Sequence, residues 1–188
     1  MALPSREECR AALHGFIALL RGAPHAPGYY DLSVEGVWRS FWPALLLMVP
    51  YTLLLPAIDP GVGAAGPGLL LGEFALQLVI WAAYLLVMMV FCRAFGLTAR
   101  YAVFAVLYNW GQAVILLVTL PVMLLAAAGL LPVTVVQNWF ILLLLFWLFA
   151  VTRMARIGLG APLGIAILAG LLDPAITELL HRLVDLLL

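Results

Sequence analysis

The chain has 188 residues, 66% of them hydrophobic and only 10% charged, and its nine arginines (there is no lysine) balance nine acids to a formal net charge of zero. A mean hydropathy of +1.18 lies far from the soluble norm of about 45–50% apolar and 25% charged residues, so the composition is that of an integral membrane protein of a few spans. With no basic run to neutralise phosphates, it argues against nucleic acid as a partner.

Residues 1–38 read as a cytoplasmic amphipathic helix and loop. Acids at Glu7 and Glu8, a short apolar run and no small-residue cleavage site argue against a secretory signal. Ser5 and Glu8 instead have the spacing of a capping box. Behind them Cys9, Ala12, Leu13, Phe16, Ile17 and Leu20 recur at helical spacing, opposite Arg6, Glu7, Arg10 and His14. Such a helix either lies in the membrane interface or packs on the cytoplasmic end of the bundle. Gly22, Pro24, Pro27 and Gly28 end it. Cys9 and Cys92 fall far apart on one side of the membrane, so no disulfide framework is implied.

Residues 39–188 form the transmembrane part. The fold class is all-α, a polytopic bundle of about five spans at roughly 41–58, 69–92, 101–130, 133–152 and 157–173, since about 20 apolar residues cross a hydrocarbon layer. Trp38, Arg39 and Trp42 supply anchors where span one begins. Pro50 is expected to kink that span and Pro56 to end it. Residues 59–68, rich in Gly and Pro, read as a flexible connection. Span three holds Tyr108-Asn109-Trp110-Gly111-Gln112 within a run too long and apolar for a surface helix. The last segment is interrupted by Asp173-Pro174. Beyond it, residues 174–188 place Glu178, His181, Arg182 and Asp185 opposite Ile176, Leu179, Leu180, Leu183 and Leu187, as an amphipathic or kinked helical extension. A re-entrant hairpin is the competing arrangement.

Arginines sort into alternate connections, and basic residues are retained on the cytoplasmic side. Arg6, Arg10, Arg21 and Arg39 precede span one, Arg93 and Arg100 follow span two, and Arg153 and Arg156 follow span four. The expected topology is a cytoplasmic N-terminus and an external C-terminus, in the inner membrane if the source is bacterial. Arg182 alone dissents, and it has Glu178 and Asp185 at pairing distance along the helix.

Four intramembrane polar residues stand out: Glu73, Gln77, Asn109 and Gln112. Asn109 and Gln112, three apart, are expected to share a face turned toward other helices. At about 1.5 Å of rise per residue, Gln77 lies about 12 Å below the outer end of its span and Gln112 about 16 Å above the inner end of its own. In a core of about 30 Å the two meet at similar depth. Contact between their faces follows, either as interhelical glue of about 0.6 to 2 kcal/mol per contact or as a polar path or ligand pocket. Glu73, an acid within a span, is a functional candidate by default, or an interfacial group reaching water.

Gly160 and Gly164 have the small-xxx-small spacing that lets helices approach, within the bundle or across a dimer face. Trp38, Trp42, Trp139 and Trp147 read as interface anchors or bundle packing. No catalytic motif is present, and His14, His25 and His181 are scattered, so no metal, cofactor or enzymatic chemistry is expected. Expected partners are the lipid bilayer and other membrane proteins, or further copies of the chain.

The layout of a cytoplasmic amphipathic N-terminal region, five tightly spaced spans and almost no extramembrane domain resembles the YIP-type (Rab-interacting) membrane proteins and their uncharacterised bacterial relatives. The stretch Asp31-Leu32-Ser33-Val34-Glu35-Gly36-Val37-Trp38-Arg39-Ser40-Phe41 also looks like segments of small bacterial membrane proteins of unknown function. The resemblance implies a helical membrane fold and an accessory or scaffolding role. It transfers no functional residue, because the Asp-Leu-Tyr-Gly-Pro motif of the eukaryotic members is absent. The alternative function is a small permease or channel with a polar path through Glu73, Gln77, Asn109 and Gln112.

Overall fold

Apolar runs of this length form helices because, with no water to satisfy the backbone, only internal hydrogen bonding does. The computed structural model describes residues 3–58 and 67–187, apart from the side chains of Asp185 and Leu187. Its α-helices, in chain order, are α1 (Arg6–Leu20), α2 (Val34–Arg39), α3 (Phe41–Leu54), α4 (Pro67–Ala94), α5 (Tyr101–Ala127), α6 (Val133–Met154) and α7 (Leu163–Leu187). Among the described residues, five helical segments are long and apolar enough to cross a membrane: Val34–Ala57, Pro67–Ala94, Thr98–Ala127, Val133–Leu159 and Leu163–Val184. The chain is a multi-pass membrane protein. Most of the connection expected at 59–68 lies outside the described residues.

Helix α5 is the axis. Every residue from Phe104 to Gly111 is buried, which is possible only for a helix covered on all sides. Helix α3 packs along it, α6 takes another side, and α1 and α2 cover its arginine-bearing end. Helix α3 runs on through Pro50 to Leu54, and Pro56 sits in a closing turn over Leu55–Ala57.

Helix α1 starts on the expected capping box. Ser5 Oγ accepts the Glu8 N–H at 3.1 Å, and the Glu8 carboxylate accepts the Ser5 N–H at 2.8 Å. Its apolar residues divide between two surfaces. Ala12, Gly15, Phe16 and Leu19 are buried, the helix packing on α5 and α6, while Cys9, Leu13 and Ile17 are exposed. Tyr30 fastens the following loop by donating its hydroxyl to Ala12 O at 3.1 Å, and burial pushes its phenol pKa up, so it stays a donor.

Of the arrangements open for the last segment, the structure has the continuous helix and not the hairpin: α7 runs unbroken from Leu163 through Pro174 to Leu187. One correction concerns the glycines around its start. Gly160 and Gly164 do not form one packing face. Helix α6 runs into a π-helical turn over Ala155–Leu159, which Gly160 closes at φ 72° before Pro162, a conformation that costs glycine little and other residues more. Gly164 lies in the next helix with open space beside it.

The arginine-bearing connections gather at one end. Arg39 reaches Glu8 at 3.0 Å, Asp31 at 2.6 Å and Glu35 at 2.9 Å, clamping α1 to the start of α3. Arg100 donates to Ile157 O at 3.1 Å, tying the α4–α5 connection to the turn after α6. Arg153 lies over the Phe149 ring at 5.1 Å. At the other end Arg182 pairs with Glu178 at 2.6 Å; its second expected partner, the Asp185 side chain, lies outside the described residues.

The clamp is pH-sensitive in a direction the geometry fixes. Hydrogen bonds from the Ser33 backbone and hydroxyl, and then the Arg39 charge, hold the Asp31 carboxyl below its ordinary range. A depressed native pKa contributes stability above the unfolded value, about 4, which is lost as pH falls through the native one. A spin label on exposed Cys9 should therefore gain mobility between pH 5 and pH 2 (about the range in which such a carboxyl titrates), and Arg39→Ala should reproduce that gain at neutral pH. An immobile label in both cases would remove the clamp from the account. The effect is small, since exposed ion pairs contribute about 0–1 kcal/mol each.

Candidate functional site

A cavity of about 520 Å³ lies between the five spans, in the half of the bundle away from the arginine-bearing connections. Each helix lines it with a stripe at helical spacing. Helix α4 gives Glu73, Gln77 and Trp81; α5 gives Tyr108, Gln112, Leu116 and Thr119; α6 gives Phe140, Leu143 and Trp147; and α7 gives Asp173, Thr177 and His181. Met48 and Tyr51 of α3 complete the wall. Such spacing keeps three or four side chains of one helix on a single face.

The floor is a hydrogen-bonded group. Asp173, 5% exposed, accepts at Oδ2 from the Tyr108 hydroxyl at 3.1 Å and from Trp147 Nε1 at 2.5 Å. Gln112 donates its amide to the Tyr108 oxygen at 2.8 Å. Tyr84 packs on the Tyr108 ring with centroids 4.5 Å apart and donates its own hydroxyl to Ala169 O at 3.0 Å. Among the described residues, Asp173 Oδ1 has no hydrogen-bond partner, and it is not one of the fully enclosed unpaired atoms. That oxygen is left to the cavity.

Local sequence places the carboxylate. Pro174 lacks an N–H and leaves the carbonyl four residues earlier, on Gly170, without its helical donor. Gly170 lets α7 close on α6, for a Cβ there would lie 3.0 Å from Thr152 Oγ1 and 3.2 Å from Leu148 O. That approach brings the next turn of α7, with Asp173, beside Trp147.

Three of the four expected polar residues, Glu73, Gln77 and Gln112, line this one cavity. Gln77 and Gln112 share it without a recorded hydrogen bond between them, since Gln112 is engaged by Tyr108. Asn109 does not belong to it. Its Oδ1 accepts from Trp81 Nε1 at 3.1 Å, its Nδ2 donates to Ser40 Oγ at 2.9 Å, and Ser40 in turn donates to Val37 O at 2.6 Å. Three helical steps leave about 60° between Asn109 and Gln112. On a helix packed all round, that angle is enough to give them different neighbours.

From the sequence, Asp173 reads as an interruption of the last segment, Trp147 as an interface anchor or bundle packing, and Tyr108 carries no role of its own. The signal was there: Asp173, Thr177 and His181 are spaced by four, as the lining of one helix face must be. No known family, curated protein or solved structure matches the chain. Fold and site together define a multi-helix membrane protein with a cavity between its helices, whose mainly apolar walls carry a few converging polar groups.

Proposed function

We propose that the chain is a non-enzymatic membrane protein that receives a small ligand in this cavity, a vestibule entered from the side opposite the arginines. The observation that carries the reading is the cavity itself. About 300–1,000 Å³ is the usual range for a small-molecule site, apolar walls with a few converging polar groups being its usual lining, and 520 Å³ falls within it. Glu178 and His181 at the mouth are exposed, whereas Trp81, Tyr108, Trp147 and Asp173 at the floor are buried. A YIP-like scaffold rests on layout alone, and a continuous polar channel would need a path past the buried floor of Trp81, Tyr108, Trp147 and Asp173. With basic loops retained in the cytoplasm, the vestibule opens outward.

Cysteine accessibility tests this. In a Cys9→Ser background, Gln112→Cys should react with a membrane-impermeant maleimide in vesicles exposing the C-terminal face and be at least about tenfold slower in inverted ones. Leu116→Trp, which fills the space above it, should slow the reaction. Equal labelling from both faces would replace the vestibule by a through-path, and no labelling from either would end the reading.

A further inference from the structure

We infer that the vestibule takes a monovalent organic cation with an apolar body. The inference rests on the ligand-binding reading above and adds the class of ligand.

Charge points first to a cation. No arginine lines the cavity, whereas Glu73, Asp173 and Glu178 do. The one arginine described at that end, Arg182, is held by Glu178 at 2.6 Å. Eight of the nine arginines belong to the other end in sequence, so, with Glu178 and Arg182 offsetting each other, a positively charged ligand entering the cavity is left with the acids Glu73 and Asp173 and no arginine in the lining. In the low dielectric between helices such an asymmetry acts strongly.

Chemistry narrows it to an organic cation. Among the described residues, no three His, Cys, Asp or Glu side chains stand close enough to hold a metal ion, so the acids act singly. Tyr51, Trp81, Tyr108, Phe140 and Trp147 surround them, and aromatic faces attract ammonium groups within about 6 Å while also covering apolar surface. Asp173 is the counter-charge. Its Oδ2 is fixed by Tyr108 and Trp147, and Oδ1 meets the cavity without a partner among the described residues. A carboxylate whose orientation is set by two donors, with one free oxygen at the floor of an aromatic-lined pocket, is preorganised for an ammonium group.

The test uses the full chain in lipid nanodiscs with three probes of similar shape: benzyltrimethylammonium, its neutral isostere neopentylbenzene, and benzenesulfonate. Quenching of cavity tryptophan fluorescence and calorimetry should show the cation binding at least about tenfold more tightly than the neutral isostere and the anion not binding, the scale a charge-assisted contact supplies. Asp173→Asn should abolish most of that preference with helicity unchanged; if that variant does not fold, Glu73→Gln combined with Glu178→Gln should reduce it at least about threefold. Equal binding of the cation and the neutral isostere, or no cation binding while Gln112→Cys remains accessible, overturns the ligand class and leaves the vestibule. Loss of that accessibility overturns the vestibule itself.

Discussion

Asn109→Leu is expected to destabilise the bundle by about 2 kcal/mol, far more than its change in size would suggest. Leucine has the same heavy-atom outline as asparagine but neither donor nor acceptor. The substitution leaves Trp81 Nε1, which now donates to Asn109 at 3.1 Å, with no partner, and Trp81 is only 7% exposed. Ser40 loses a donor from Asn109 but keeps its own bond to Val37 O at 2.6 Å, so most of the cost falls on the indole. An orphaned buried donor costs about 1–3 kcal/mol, whereas polar contacts between membrane helices average about 0.6 and reach about 1.7 kcal/mol; one contact near the upper membrane value, with a small remainder from the Ser40 bond, gives the figure. Equilibrium unfolding in mixed micelles measures it. The asymmetry of hydrogen bonding supplies the control: removing both partners is nearly neutral, so Asn109→Leu with Trp81→Phe should recover at least half the loss. If the double variant is as unstable as the sum of its parts, the Trp81–Asn109 bond is not the cause.

This network also marks the limit of what the sequence discloses. Length and hydropathy made the five spans legible, because a membrane imposes one rule on every crossing segment. That Asn109 needed a partner was equally legible. Which partner it has was not, since on a helix as enclosed as α5 the neighbours at 60° intervals differ, and only the packing of α3 and α4 decides that Asn109 meets Ser40 and Trp81 while Gln112 meets Tyr108.

Asp173 went unread for a related reason. An Asp-Pro pair in water is a turn signal, but in a membrane bundle neighbouring helices can support the backbone a proline frees, so the same two residues become the floor of a cavity. For Gly160 the competing signal was in view: a glycine followed at the second position by Pro162 is a helix stop before it is a packing motif.

The floor of the vestibule depends on an absent side chain, and filling that space should move it. Gly111 is buried on α5 against α6, where an added Cβ would collide with Met154 Cε and lie 3.3 Å from the Trp147 ring. Met154 Cε is the far end of a flexible chain and can swing aside, so Gly111→Ala should cost under about 1 kcal/mol. A leucine reaches further and presses on the indole that donates to Asp173. Overpacking of this kind typically costs about 1–3 kcal/mol, and for Gly111→Leu the upper part of that range is expected, with Trp147 displaced and its emission shifted as the indole loses its acceptor. Met154→Ala restores the missing volume directly beside the new side chain, and so should recover most of the stability and the emission of Gly111→Leu. A compensating pair that recovers neither would mean that Gly111 is required for the path of the α5 backbone and that the Trp147–Asp173 floor does not depend on the space beside it.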